Sequence, residues 1–162
     1  VENIMRIGST GALQPQVNIR DIVVGQGACT DSAWATQYHL PGTFAPIADY
    51  TMLRTCVETA EQLGLPYHVG NLLSSDRFYG DDGDMPDGWK ANNAWAKMGV
   101  LAVEMEAAAL YMNAARAGKR ALAICTVSDQ LVRQEFTTSE ERQTGFTQMM
   151  QLALETAIKL EK

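Results

Sequence analysis

The sequence predicts an α/β fold, and the prediction rests on two patterns. Residues 121–127 form an uncharged apolar run with several β-branched side chains, which is typical of a strand buried on both faces in a parallel sheet. Strand-like runs alternate along the chain with stretches in which apolar residues recur at helical spacings. The 162 residues, 46% of them hydrophobic, are enough for one domain with a substantial core.

Composition argues against several classes of function. The net charge of −6 disfavours a nucleic-acid binder, and no apolar run reaches the length of a membrane span. Cys29, Cys56 and Cys125 lie in apolar segments, which favours reduced thiols in a cytoplasmic protein. Neither these cysteines nor the two histidines show metal-ligand spacing, so the sequence predicts no metal site.

The chain opens with a predicted strand, residues 1–7, that runs into the stretch Gly-Ser-Thr-Gly at residues 8–11. Glycines beside hydroxyl groups at a strand end allow main-chain N–H groups to approach an anion, and Arg6 adds positive charge. An ordinary glycine turn is the alternative, and these residues taken alone favour it.

The middle of the chain alternates between strands and helices. Further strands are predicted at residues 19–29 and 67–73, with a helix between them that begins at Asp49 and ends at Gly64. A short helix, residues 89–98, follows an exposed loop rich in Gly and Asp.

A βαβ unit is predicted next. A strand at residues 100–103 and the central strand are expected to be parallel neighbours, joined by a right-handed crossover through a helix at residues 107–117. Glu104 and Glu106 then lie at a strand end beside the strand that leads to Asp129. The alternative for Glu106 is an acid that complements the dipole at the start of the helix.

Ser128 and Asp129 follow the central strand, where open α/β sheets bind ligands. Burial disfavours a charged carboxylate unless it is paired or used, so Asp129 is a candidate functional acid. Capping of a turn or of the next helix is an equally good alternative.

One long helix is predicted to close the chain, with a capping box formed by Thr138 and Glu141. Arg142 falls on its buried stripe and in its first turns, where the helix dipole disfavours a cation. It therefore needs an anionic partner such as Asp129. A side chain that extends to the surface is an equally good alternative.

Polar groups thus stand at three predicted strand ends, at residues 6–11, 104–106 and 128–129. If the strands are parallel, these groups face one crevice. An anion cradle, carboxylates suited to hydroxyl groups and an acid with a cationic neighbour suit a polyol, such as a sugar, beside a phosphate.

Four motifs resemble those of the bacterial-type, hexameric purine nucleoside phosphorylases, a branch of the nucleoside phosphorylase superfamily. They are Arg-Ile-Gly-Ser-Thr-Gly at residues 6–11, Val-Glu-Met-Glu-Ala-Ala-Ala at 103–109, Thr-Val-Ser-Asp at 126–129 and Thr-Thr-Ser-Glu-Glu-Arg-Gln at 137–143. The likeness runs through nearly all of the chain. It implies an α/β/α sandwich around a mixed central β-sheet that partly closes into a barrel.

The resemblance implies phosphorolysis, in which phosphate displaces the base of a purine nucleoside or deoxynucleoside to give purine and the pentose 1-phosphate. Asp129 and Arg142 are then the catalytic residues, with protonated Asp129 donating to N7 of the leaving base. The residues implied to bind the nucleoside are Phe78, Glu104, Met105, Glu106 and Ser128, and those implied to bind phosphate are Arg6, Ile7, Gly8 and Ser9.

The same resemblance implies no cofactor beyond phosphate as co-substrate, a homohexamer built as a trimer of dimers, and a cytoplasmic enzyme of purine salvage. It places residues 1–162 as a single domain, the C-terminal portion of a longer phosphorylase with part of the phosphate site. The preference between 6-amino and 6-oxo purines stays open, as does the role of the loop from Gly80 to Asn93.

Two alternative functions remain. One is a related nucleosidase, which uses water in place of phosphate; those relatives lack the Arg-x-Gly-Ser pattern and an equivalent of Arg142, so both features argue against it. The other is a non-catalytic nucleoside-binding or assembly module.

Overall fold

A six-stranded mixed sheet organises the computed structural model, which describes residues 1–78, 90–144 and 146–161. Its strands are β1 (Asn3–Ala12), β2 (Ile22–Thr30), β3 (Tyr67–Ser74), β4 (Ala102–Glu104), β5 (Arg120–Gln130) and β6 (Glu135–Phe136). Their order is β1-β4-β3-β2-β5-β6, and β1 also pairs with β5. The extra pairing closes five of the strands into a barrel-like ring.

Helices cover the sheet on both sides. They are α1 (Tyr50–Leu63), α2 (Ala91–Lys97), α3 (Ala107–Arg116), α4 (Ser139–Thr144) and α5 (Thr147–Leu160), with a 3₁₀ turn at Trp34–Tyr38. On β5, Leu122 and Ile124 pack in a cluster with residues of α1 and α5, whereas Ala123 packs in a cluster with α3. The prediction of an α/β fold with a central strand buried on both faces is therefore confirmed.

Helix α1 has the ends that its sequence predicts. The Asp49 carboxylate accepts a hydrogen bond of 2.9 Å from the main-chain N–H of Met52, which satisfies one of the free donors at the start of the helix. Gly64 ends the helix with φ of 64°, a left-handed conformation that glycine adopts without steric cost.

The first strand is longer than predicted. Strand β1 continues through residues 8–11, which were expected to form a turn, because it pairs in parallel with β5 from Asn3 to Ala12. The register shifts between Thr10 and Gly11, so the irregularity is a bulge within the strand and not its end.

The predicted parallel crossover is wrong. Helix α3 joins β4 to β5, but these strands are not neighbours, because β1 lies between them. Strand β1 is antiparallel to β4 and parallel to β5, so the two strands that α3 joins run in opposite directions. Residues 100–103 and 122–127 carry local strand patterns, and those patterns contain no information about the intervening strand.

The end of β5 also differs from its prediction. Ser128 and Asp129 lie inside the strand and not beyond it, because Asp129 pairs with Gly11 of β1 and with Phe136 of β6. Strand β6 and the closure of the ring therefore extend the sheet to the polar residues.

The single closing helix is replaced by two helices, α4 and α5. Residues 139–144, Ser-Glu-Glu-Arg-Gln-Thr, contain no apolar side chain, so α4 has no apolar stripe with which to pack on the core. The buried stripe begins only with Phe146 and continues with Met149 and Leu152 of α5. The expectation that Arg142 belongs to that stripe is therefore wrong.

Candidate active site

A cavity of about 400 Å³ opens where β1, β4 and β5 carry their polar residues. Nine of the residues predicted for the site line it: Arg6, Ser9, Phe78, Glu104, Met105, Glu106, Ser128, Asp129 and Arg142. The two other predicted residues, Ile7 and Gly8, lie on β1 outside this lining. The three polar clusters therefore meet, although not through the parallel arrangement that was expected.

The register of β1 explains why they meet. Gly11 pairs with Val103 of β4 on one side and with Asp129 of β5 on the other. Adjacent strands lie about 4.8 Å apart, so the ends of β4 and β5 stand two strand spacings from each other. Closure of the ring, with β1 in the middle, brings the glutamates and the aspartate to one cavity.

Glu104 is a buried carboxylate that holds the start of α3. Its Oε2 accepts the main-chain N–H groups of Glu106 and Ala107, each at 3.0 Å. Its Oε1 accepts the Ser74 hydroxyl, which in turn accepts the N–H of Ala108 at 2.9 Å. Glu104 thereby performs the role at the helix start that the sequence suggested for Glu106, whose side chain makes no capping bond.

Arg6 is the cation on the other side of these glutamates. Its Nε donates to Oε2 of Glu106 at 2.9 Å and lies 3.3 Å from Oε2 of Glu104. A Cβ on Gly8 would lie 2.7 Å from Nη1 of Arg6, so the glycine leaves room for this side chain to fold back along β1. The guanidinium predicted to hold phosphate is therefore paired with two carboxylates.

Cys125 lies beneath the same guanidinium, with its Sγ 3.3 Å from Nη1 of Arg6. Burial raises the pKa of the Cys125 thiol to about 12, so the thiol is neutral at ordinary pH. The charge of Arg6 is consequently balanced by the glutamates and not by a thiolate.

Asp129 forms the opposite side of the cavity and is buried. The Ser128 hydroxyl donates to its Oδ2 at 3.0 Å, and Nη1 of Arg142 lies 3.7 Å from its Oδ1. Nη1 of Arg142 also donates to the carbonyl oxygen of Thr137 at 3.0 Å. The predicted partnership of Asp129 and Arg142 is present, although the arginine reaches the cavity from a partly exposed position, with its side chain 40% exposed.

The capping box positions Arg142. The main-chain N–H of Thr138 donates to Oε2 of Glu141 at 2.8 Å, and the N–H of Glu141 donates to the Thr138 hydroxyl at 3.2 Å. The hydrogen bond from the Thr138 N–H lowers the pKa of Glu141. Nη2 of Arg20, two residues before β2, lies 3.2 Å from Oε1 of Glu141 and connects α4 to the sheet.

Four more lining residues were not named as site residues, although Thr10 and Gly11 belong to the stretch expected to approach an anion and Val103 belongs to the motif at 103–109. Thr10, Gly11, Arg77 and Val103 also line the cavity. The Thr10 hydroxyl donates to the carbonyl oxygen of Val103 at 2.7 Å and thereby joins β1 to β4. The contact between Thr10 and Val103 depends on strand pairing, which the sequence does not show. Arg77, in contrast, could have been predicted as a lining residue from its position beside Phe78.

Some residues expected to surround the base lie outside the part of the chain that the structure describes. Phe78 lines the cavity and is 75% exposed. Residues 79–89, which include most of the loop from Gly80 to Asn93, fall outside the described residues.

The part of the chain that the structure describes offers no cluster suited to a metal ion and no helix suited to a membrane. Within residues 1–78, 90–144 and 146–161, no group of three or more His, Cys, Asp or Glu side chains could hold a metal ion. Within those same ranges, no helix combines the length and apolar character needed to cross a membrane.

The amino-acid sequence of the chain is similar to that of a known protein family. The family model described as "Phosphorylase superfamily" matches residues 1–160. The chain is 48% identical over 158 residues to "Purine nucleoside phosphorylase DeoD-type" of Tolumonas auensis, covering 98% of this chain and 64% of that relative's length. The chain thus spans somewhat less than two thirds of the curated relative. The match over nearly all of its residues shows that the chain belongs to the phosphorylase superfamily.

Proposed function

We propose that this protein is a purine nucleoside phosphorylase, a pentosyltransferase of nucleoside salvage. The observation that carries the proposal is the convergence of the Asp129–Arg142 pair with the Arg6–Glu104–Glu106 cluster in one cavity. In the reaction, the C1′–N9 bond of the nucleoside breaks and a phosphate oxygen bonds to C1′. The products are the free purine and ribose or deoxyribose 1-phosphate.

Asp129 and Arg142 act on the leaving base in this proposal. The bond electrons pass to the purine, and protonated Asp129 donates a proton to N7, which removes the developing negative charge. The proton released by hydrogen phosphate restores Asp129. General acid catalysis of this kind contributes typically about 10²–10⁴-fold to the rate. Arg142, 3.7 Å from Asp129, assists by stabilising the carboxylate that forms. Ser128 orients Asp129, and Phe78 packs against the purine.

The glutamates and Met105 face the sugar. Glu106 is the carboxylate available for ribose hydroxyl groups, because its side chain is 61% exposed at the cavity. Met105 is partly exposed beside it and packs on the sugar. Glu104 has its oxygens engaged by Ser74 and the start of α3, so it borders the pocket as a fixed wall.

Phosphate binds at Arg6 and Ser9, both on β1. Arg6 is paired with Glu106, so phosphate must displace that carboxylate, which is then free to accept the sugar hydroxyl groups. Phosphate and nucleoside binding would be coupled through this exchange. Ile7 and Gly8 lie outside the lining, and their part is to hold Arg6 and Ser9 in place.

We extend the proposal to assembly and location. The likeness to hexameric enzymes supports a homohexamer, a trimer of dimers, with purine nucleosides and phosphate as its small-molecule partners. Cys29, Cys56 and Cys125 are free thiols, which supports a reducing, cytoplasmic location. Phosphate is a co-substrate, and the proposed chemistry requires no metal or organic cofactor.

Product identification tests the proposed function. The protein as its gene encodes it is incubated with inosine and inorganic phosphate, and the sugar product is identified by ³¹P and ¹H NMR. Ribose 1-phosphate with hypoxanthine is expected. Free ribose as the primary product would assign the cavity to a nucleosidase, and no cleavage would assign it to a binding module. Glu58→Gln, on the exposed face of α1 and away from the cavity, should give the same products as the unaltered protein.

A further inference from the structure

Arg77 is a cavity residue that the proposed reaction does not use. It lines the cavity beside Phe78, and its main-chain N–H donates to the Ser75 hydroxyl at 3.2 Å. Its guanidinium makes no hydrogen bond or ion pair with the residues that the structure describes.

The other cations at the cavity are already paired. Arg6 contacts Glu104 and Glu106, and Arg142 contacts Asp129. Among the cavity-lining cations in the described ranges, Arg77 alone lacks a carboxylate partner. A guanidinium keeps its charge at every working pH, so Arg77 presents to the cavity a positive charge that no carboxylate among the described residues balances.

The strand order places the Arg77 charge near the proposed purine site and away from the proposed phosphate site. Arg77 follows β3, whose last residue, Ser74, pairs with Glu104 of β4. Ser9 lies on β1, on the other side of β4, so β3 and β1 are separated by about 10 Å, two strand spacings. Arg77 is therefore away from the proposed phosphate site and adjacent to Phe78, which packs on the purine in the proposed function.

We propose that Arg77 is a second cation that stabilises the leaving base and discriminates against bases that are already cationic. The inference rests on the proposed phosphorolysis. When the C1′–N9 electrons pass to the purine, the base gains negative charge before the proton from Asp129 compensates it. Arg77 transfers no proton; it attracts that charge electrostatically. The interaction between Arg77 and the leaving base is attractive whichever edge of the purine faces the guanidinium.

The same charge acts in the opposite direction on a cationic base. An N7-methylated purine nucleoside carries a positive charge at mildly acidic pH, and its base leaves without a proton at N7. Arg77 repels that base both in the bound nucleoside and in the transition state. The Arg77 guanidinium consequently favours guanosine over 7-methylguanosine, measured as kcat/KM.

The test compares these two nucleosides with saturating phosphate at mildly acidic pH. Arg77→Met removes the charge and keeps most of the side-chain length, Arg77→Lys keeps the charge, and Arg54→Met removes an exposed arginine of α1 as a control. For Arg77→Met we expect kcat/KM to fall for guanosine and to rise for 7-methylguanosine, shifting their ratio by about three- to tenfold. Arg77→Lys should retain most of the wild-type ratio, and Arg54→Met all of it.

The outcomes separate the two proposals. If both nucleosides are phosphorolysed and Arg77→Met leaves their ratio unchanged, the role of Arg77 is overturned while the proposed function stands. If the wild-type protein cleaves neither nucleoside with phosphate, the proposed function fails and the role of Arg77 fails with it. Thermal unfolding of each variant monitors folding, and Arg77→Gln is a second neutral variant. A fall of equal size for both nucleosides in the folded variants would indicate a structural role and contradict the proposal.

Discussion

At the scale of single residues, the proposed chemistry depends on a buried carboxylate with defined neighbours. Asp129 accepts the Ser128 hydroxyl at 3.0 Å and faces Arg142 at 3.7 Å. The Ser128 hydroxyl fixes the orientation of the carboxyl group, and the Arg142 guanidinium lies close enough to stabilise negative charge that develops on it. The pair therefore suits an acid that releases its proton during the reaction.

Replacement of Asp129 tests its role as the acid. Asp129→Asn keeps the size of the side chain and removes the transferable proton, so kcat for inosine phosphorolysis should fall by about 10²–10⁴-fold. Nucleoside binding, measured by calorimetry, should change little, because the proton acts mainly in the transition state. Asp76→Asn, at an exposed position outside the cavity lining, is the control. Equal losses in binding and in kcat/KM, with kcat preserved, would contradict the assignment.

Arg142 permits a second test at this scale. Arg142→Ala should lower kcat and leave the protein folded, because the capping box of Thr138 and Glu141 does not require the guanidinium. The loss should be smaller for nucleosides with better leaving groups. Steady-state kinetics and thermal unfolding together check the prediction. An unfolded variant, with no kinetic defect in the fraction that remains folded, would make Arg142 structural.

At the scale of elements, residues close in sequence were predicted better than residues brought together by pairing. The cap and the end of α1 follow from Asp49 and Gly64. The extension of β1 through Gly8, the insertion of β1 between β4 and β5, and the separation of α4 from α5 do not follow from local patterns. Each depends on which strand pairs with which, or on where the apolar stripe of a helix begins.

The start of α3 is held by Glu104 and not by Glu106, and this difference can be tested. Glu104→Gln should lower the free energy of unfolding by about 1–3 kcal/mol, because a buried acceptor of two N–H groups and a partner of Arg6 loses its charge. Glu106→Gln should cost less than about 0.5 kcal/mol, because its exposed carboxylate makes no capping bond. Urea unfolding of both variants measures the difference. A larger cost for Glu106→Gln would return the capping role to that residue.

At the scale of the whole molecule, the sequence predicted an α/β fold and nearly all of the cavity lining. The named residues line one cavity because the motifs that carry them lie on strands that pair through β1, and the identification of those motifs did not require the strand directions to be correct. Arg77 was missed because it belongs to no motif, and the pairing of Arg6 with Glu106 was missed because these residues are 100 positions apart. Side-chain pairing across a closed sheet follows only from the three-dimensional arrangement.

Buried thiols make the stability of the molecule dependent on pH. Burial raises the pKa of Cys56 from 9.0 to about 11 and that of Cys125 to about 12. Above pH 9.0 the unfolded thiols release protons while the folded ones retain them, so the free energy of unfolding falls as pH rises toward 11. Below pH 9.0 this contribution is fully present.

Urea unfolding at about pH 8 and about pH 10 measures the effect. We expect lower stability at the higher pH and a smaller loss in Cys56→Val, which fills the site without a titratable group. An identical loss in that variant would show that the Cys56 thiol does not contribute to the alkaline destabilisation.

The phosphate dependence of nucleoside cleavage tests the central claim most directly. The initial rate of hypoxanthine release from inosine is measured by absorbance while the phosphate concentration is raised from zero. If the cavity is a phosphorylase site, the rate is negligible without phosphate, rises to saturation as phosphate is added, and yields one ribose 1-phosphate per purine. A rate that is already maximal without phosphate, with free ribose as the product, would contradict the account.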